Sequence, residues 1–118
     1  MIRKMSDQTI TINENMRGGD GSVAIRQLLS KDEMLGASRL YAHVTIKPGC
    51  SIGNHVHENE METYYILKGT GTYDDNGVEV ILHPGDVTHT PHGCEHGIAN
   101  RHDEDLEFMA LIVLQQAS

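Results

Sequence analysis

Apolar positions along this chain recur mostly every second residue, the spacing of a half-buried strand and not of a helix. Tyr41–Lys47 shows it most clearly: Ala42, Val44 and Ile46 fall on one side of an extended chain, and Tyr41, His43 and Thr45 on the other. Gln8–Asn13 alternates around Ile10 and Ile12, Val23–Leu29 is apolar and partly β-branched, and Thr63–Lys68 carries Tyr64, Tyr65, Ile66 and Leu67. Glu79–His83 and Val87–Thr90 predict short strands. Glu107–Leu114 is a long apolar run that predicts a strand buried on both faces. The best helix signal is a short turn at Ser30–Leu35, with Ser30 as N-cap and Glu33 at the capping-box position.

The punctuation between these runs agrees with them. Lys47-Pro48-Gly49-Cys50 and His83-Pro84-Gly85-Asp86 place Pro then Gly as a type II turn requires, and Asp74-Asp75-Asn76-Gly77 contains the Asn-Gly pair of a tight hairpin. Short strands at close spacing with regular turns predict an all-β sandwich or barrel. Arg17–Ser22 is glycine-rich but lacks Gly-x-Gly-x-x-Gly spacing and a following helix, so it reads as a loop and not as a phosphate cradle. No linker interrupts the 118 residues; the expectation is one domain over 1–118, with N-terminal strands in 1–35 and a barrel core over about 36–116.

Composition narrows the function classes. With 38% hydrophobic and 22% charged residues, the chain is not of the disordered type. A net charge of −8 without any Lys/Arg cluster argues against nucleic acid as a partner. No run is long and apolar enough to span a membrane, and the first residues lack an apolar signal core, which leads to a cytoplasmic expectation. Cys50 and Cys94 suggest reduced thiols and no disulfide, with a reactive role for Cys94 open because His92 and His96 flank it. Eight histidines are a pool of neutral nitrogen ligands.

Three of the candidate ligands stand together. His55 and His57, two apart, project to one side of a strand, and Glu62 opens the next strand, where a hairpin can return it to them. Two imidazoles and a carboxylate suit a divalent first-row metal, although the pattern by itself also fits a solvated surface.

A second stretch, Gly85–Asn100, changes that balance. Gly49, His55, His57, Glu62 and Gly69 match G-x5-H-x-H-x3–4-E-x6-G, and Gly85, Pro91, Gly93, His96 and Asn100 match G-x5-P-x-G-x2-H-x3-N, with 15 residues between the two motifs. With both motifs complete, the sequence resembles the cupin superfamily. The resemblance implies a double-stranded β-helix, or jelly-roll barrel, with an N-terminal extension. It also implies one divalent metal held by His55, His57, Glu62 and His96, and a homodimer. Three neutral imidazoles and one carboxylate would leave manganese, iron, cobalt or nickel with two open positions for an anionic or polyoxygenated small molecule. Zinc remains possible but is less suited, since four protein ligands fill its tetrahedral shell.

Beyond the ligands, His43, Tyr64 and His89 are candidate catalytic residues, with His92 as a further rim candidate. Period two turns Tyr64 inward beside Glu62 and Tyr65 outward. The leading expectation is a metal-dependent enzyme acting on an oxygen-rich metabolite by isomerase, decarboxylase, lyase or dioxygenase chemistry. The alternative is a non-catalytic cupin that binds metal or a small ligand as sensor or store. A thiol dioxygenase is disfavoured by Glu62. Oxalate decarboxylase-like chemistry is a further possibility, against which stands the lack of any basic residue between Lys47 and Lys68 to hold a second carboxylate.

Overall fold

The computed structural model describes residues 1–116, and these residues form ten strands: β1 (Thr9–Glu14), β2 (Ser22–Gln27), β3 (Ser38–Ile46), β4 (Ser51–Val56), β5 (Glu60–Lys68), β6 (Gly71–Asp75), β7 (Val78–Leu82), β8 (Val87–Thr90), β9 (Glu95–Ala99) and β10 (Leu106–Leu114). All pairings are antiparallel. The larger sheet runs β1-β2-β3-β10-β5-β8 and the smaller β4-β9-β6-β7. This is the double-sheet jelly roll that the resemblance implies, and one form of the sandwich or barrel that the strand periodicity predicts. Among the described residues no helix is long and apolar enough to cross a membrane.

The period-two pattern decides which side chains meet between the sheets. Ala42, Val44 and Ile46 of β3 face Leu106, Phe108, Ala110 and Ile112 of β10 along the inner side of the larger sheet, all essentially without solvent contact. Tyr73 of β6, Ile98 of β9 and Ile52 of β4 close over them from the smaller sheet. One expectation needs correction. The outer residues of β10 are only half-buried at Glu107, Met109 and Leu111, and Val113 is exposed, so the strand is not buried on both faces. It lies centrally in its sheet, but the second sheet covers one side alone. Met109 and Leu111 lean instead on the cross-strand neighbours His43, Tyr65, Tyr41 and Thr63.

The turn chemistry forms as read. Asn76 (φ 51) and Gly77 (φ 95) make the left-handed two-residue link between β6 and β7. At Ser30–Leu35 the capping box forms reciprocally: the Glu33 N–H donates to Ser30 Oγ at 3.1 Å and the Ser30 N–H to Glu33 Oε1 at 2.8 Å. It closes a hydrogen-bonded turn that does not extend into a helix and ends at Leu35 (φ 59) and Gly36 (φ 72). Asn100, the last residue of the second motif, is a buried staple whose Nδ2 donates to the carbonyls of Ile46 and Glu104.

Two features position the site. His55 on β4 lies directly opposite His96 on β9, after a register irregularity at Gly53–Asn54. A short 3-10 turn, Met16–Gly18, lies against β4 so closely that a Cβ on Gly53 would collide with the Arg17 carbonyl, and one on Gly19 with the Ser51 carbonyl. Gly53→Ala is therefore expected to lower stability by ~1–3 kcal/mol through overpacking against backbone, read as a lower urea midpoint at unchanged m-value.

Candidate metal centre

His55 comes from β4, His57 lies just beyond its end, Glu62 comes from β5 and His96 from β9. Each offers one donor atom, and the four donors lie within 4.8 Å of one another. The three imidazole rings stand at the corners of a triangle with 4.8 Å between every pair of centroids, mutually tilted by 62–70°. His57 Nε2, His96 Nε2 and Glu62 Oε1 are each 2.9 Å from the other two. Donors this close to one another could share one divalent ion.

The outer nitrogens show which way the lone pairs point. His55 Nδ1 donates to the Gly53 carbonyl at 2.8 Å, and His57 Nδ1 to the Glu60 carboxylate at 2.5 Å. Both partners only accept, so the Nδ1 atoms carry the protons and the Nε2 lone pairs face the centre. His96 Nδ1 meets the hydroxyls of Tyr73 (2.8 Å) and Thr90 (2.9 Å), which can accept its proton in the same way. His57, Glu62 and His96 are buried, and His55 is half-buried at the cavity side. Lone pairs and a carboxylate converging on one desolvated point are the donor set that a cation satisfies.

Charge around the donors is layered. Burial pushes the Glu62 carboxyl up, but the His57 and His96 rings, where a proton occupies their inward nitrogens in place of an ion, outweigh it and hold the group below its usual range. The Glu62 carboxylate raises His57, against burial, and Glu60 adds to the effect. Burial lowers His55, and the neighbouring imidazoles and Arg17 lower it further. Glu60 sits at about 2, held there first by the guanidinium of Arg39, whose Nε and Nη2 each donate at 2.8 Å, and then by His57. An Arg39–Glu60–His57 chain thus fixes one donor from behind.

The donors His55, His57 and Glu62 open into a cavity of about 200 Å³, lined also by Met16, Arg17, Ile25, Arg39, Leu40, Tyr64 and Ile112. Tyr64 is buried as its spacing predicts and stacks on His96, with centroids 5.0 Å apart. Burial, and then the Glu62 charge, push its phenol well above the ordinary value. The other catalytic candidates lie elsewhere. His43 is on the outer face of β3, with Nε2 3.0 Å from Glu107 Oε1, and His89 is on the exposed outer face of β8. In a two-faced strand the inner places fall to Val44 on one strand and to Thr88 and Thr90 on the other. His92 is an exposed loop residue that accepts the Asn59 N–H. Cys94 is a half-buried free thiol outside the donor set.

Although no basic residue lies between Lys47 and Lys68, the cavity does not lack one: Arg17 and Arg39 reach it from outside both motifs, by tertiary contact. Glu60 was legible in principle, since it lies two residues before Glu62 and so shares its face of β5. No spacing pointed to Arg17, Arg39 or Tyr73.

A closed double sheet with a three-histidine, one-carboxylate donor set in its mouth is the architecture of a metal-binding cupin. The cupin-domain family matches residues 42–113, and the chain belongs to it. The oxalate-binding protein of Thermotoga maritima is 46% identical over 114 residues, covering 97% of this chain and 94% of that protein. A crystal structure from the same organism, described as a predicted oxalate decarboxylase, has a TM-score of 0.92 at 46% identity and covers 97% of this chain and 99% of its own. A Cupin 2 conserved barrel domain protein from Salinispora arenicola shares the fold at a TM-score of 0.75 and 22% identity, covering 99% and 89% of the two chains.

The site predicts a proton–metal competition. His57 must lose its proton to ligate, and its raised pKa means that protons compete from above the usual imidazole value of ~6.5. Metal affinity is expected to fall on titration from about pH 8 to about pH 5.5. Glu60→Gln should move that fall to lower pH while weakening binding ~10-fold at the alkaline end, where the imidazole has lost its anionic anchor. Competition with a metal-indicator dye across this range measures both.

Proposed function

We propose that His55, His57, Glu62 and His96 hold one divalent first-row metal (manganese, iron, cobalt or nickel), and that the protein binds a small dicarboxylate of oxalate's size beside it. The observation that carries this reading is the pairing of the convergent donor set with a cavity that also contains two arginines. At about 200 Å³ the cavity is smaller than the ~300–1,000 Å³ of typical drug-sized pockets, which suits a metabolite of few atoms. The naming of the close Thermotoga relative as an oxalate-binding protein supports the same ligand class.

When bound, the metal supplies a Lewis-acid centre for carboxylate oxygens. The chain's own residues do the rest. Arg17 brings positive charge to the lining, Arg39 holds Glu60 behind His57, and Ile25, Leu40 and Ile112 give the cavity an apolar wall. The second reading is turnover, isomerase or decarboxylase chemistry among its forms, and it rests on Tyr64. This is the one lining residue, outside the donors and the arginines, that carries a hydroxyl, held protonated by burial and by the Glu62 charge.

Metal analysis of the purified protein should find first-row metal approaching one per chain, and His55→Ala with His57→Ala should remove it. Calorimetry of the Mn²⁺-loaded protein should show oxalate binding that disappears on chelation. Retention of metal by the double variant would overturn the site, and no oxalate binding at full loading would overturn the ligand class. Formate or carbon dioxide release, lost in Tyr64→Phe, would favour turnover over binding.

We also propose a homodimer formed through the outer face of the larger sheet. Ile10, Arg26, His43, Met109, Tyr65 and Val87 are successive register partners and so form one row across all six strands. Ile10, Tyr65 and Val87 are exposed there, and β1 ends the sheet as an uncovered edge. Light scattering should give twice the chain mass, falling to the monomer in Ile10→Glu with Tyr65→Glu; a wild-type monomer would exclude the dimer.

A further inference from the structure

Arg17 has a backbone that asks for an explanation. It sits at φ 55, ψ 31, inside the Met16–Gly18 turn and two residues after Asn15 at φ 50. Asparagine tolerates this left-handed region; a long L side chain rarely adopts it, and such outliers persist where the surroundings enforce them. Here they do. Asn15 Nδ2 donates to the Gly19 carbonyl at 3.1 Å, the Asp20 N–H donates to Ser51 Oγ at 2.8 Å, and the Ser51 N–H returns to the Asp20 carbonyl at 2.9 Å. Side-chain-free positions at Gly19 and Gly53 let the turn lie flush on β4, the strand that carries His55. The product of this clamp is that Arg17, a solvent-exposed residue, lines the mouth of the donors' cavity, where its charge acts on His55 and Tyr64.

The two arginines there are not equivalent. Arg39 is committed to Glu60 by a two-point fork, so its charge is already balanced. Arg17 has no carboxylate partner among the ion pairs of the described residues. A divalent ion with Glu62 leaves one net positive charge at the centre; Arg17 adds a second, without which a dianion would meet the field of a protein with net charge −8. Resting on the anion reading above, we propose that Arg17 is the residue that selects a dicarboxylate over a monocarboxylate, gripping the carboxylate end that lies away from the metal. Arg39 is a positioning residue, acting through Glu60 on His57.

The test uses Mn²⁺-loaded full-length protein titrated with oxalate and with glycolate, for wild type, Arg17→Gly, Arg17→Asn and Arg17→Lys. Glycine and asparagine both accept the left-handed backbone, so the clamp survives while the charge is lost. Oxalate affinity should fall roughly 10- to 100-fold in the Gly and Asn variants, the scale of one charge-assisted bidentate contact. Glycolate affinity should change less than about 3-fold, Lys should recover part of the loss, and Mn²⁺ affinity, titrated alone, should stay at the wild-type value. Unchanged oxalate binding overturns the assignment. So does a parallel fall for both anions, or a fall in Mn²⁺ affinity, which would make the turn a support for β4 only. A wild type that binds both anions equally refutes the selection and leaves the anion reading standing; a wild type that binds neither refutes both.

Discussion

One buried carboxylate and three imidazoles aimed at a common point set the terms for this molecule. Placing an ionised Glu62 between sheets is costly unless opposite charge meets it, since removing a carboxylate from water costs several kcal/mol even after relaxation. With the Nδ1 protons of His55 and His57 directed outward to Gly53 and Glu60, the inward atoms are all acceptors, and only a cation or protons can reconcile them. The barrel supplies the geometry that makes this possible. β4 and β9 set His55 opposite His96 within one sheet, and β5 brings Glu62 across from the other.

The residues behind the donors explain why the arrangement holds its shape. Tyr73 and Thr90 hold His96 by its outer nitrogen, Tyr64 stacks on the same ring, and Arg39 holds Glu60, which holds His57. These supports come from β6, β8, β5 and β3, so both sheets brace the centre. In a chain that is strongly acidic overall, Arg39 at the cavity is balanced by Glu60, while Arg17 lines the same cavity with no carboxylate partner among the ion pairs of the described residues.

Local chemistry in the chain was enough for much of this. Alternation identified the inward faces of β3 and β5, Pro-Gly and Asn-Gly located turns that form as read, and His-x-His with the later Glu and His named four side chains that do converge. These features are legible because each rests on an interaction a few residues long, or on a motif whose spacing already encodes the barrel. At the outer face of β10, where the expected burial is not found, and at His43 and His89, which lie on outer faces, the same alternation was present. The pattern says that two faces differ, but apolar content alone does not say whether a second layer covers the outer one.

Contacts between distant segments settled the rest. Arg17 lies 38 residues before His55 in the chain and Arg39 lies 21 before Glu60, and neither separation carries a periodic signal. Their places in the cavity follow from a strained turn docked on β4 and from the forked pairing of β3 with β5's first residue. A linear pattern registers neighbours along the strand; the charge balance of a cavity is a sum over whatever the closed sheets bring near it.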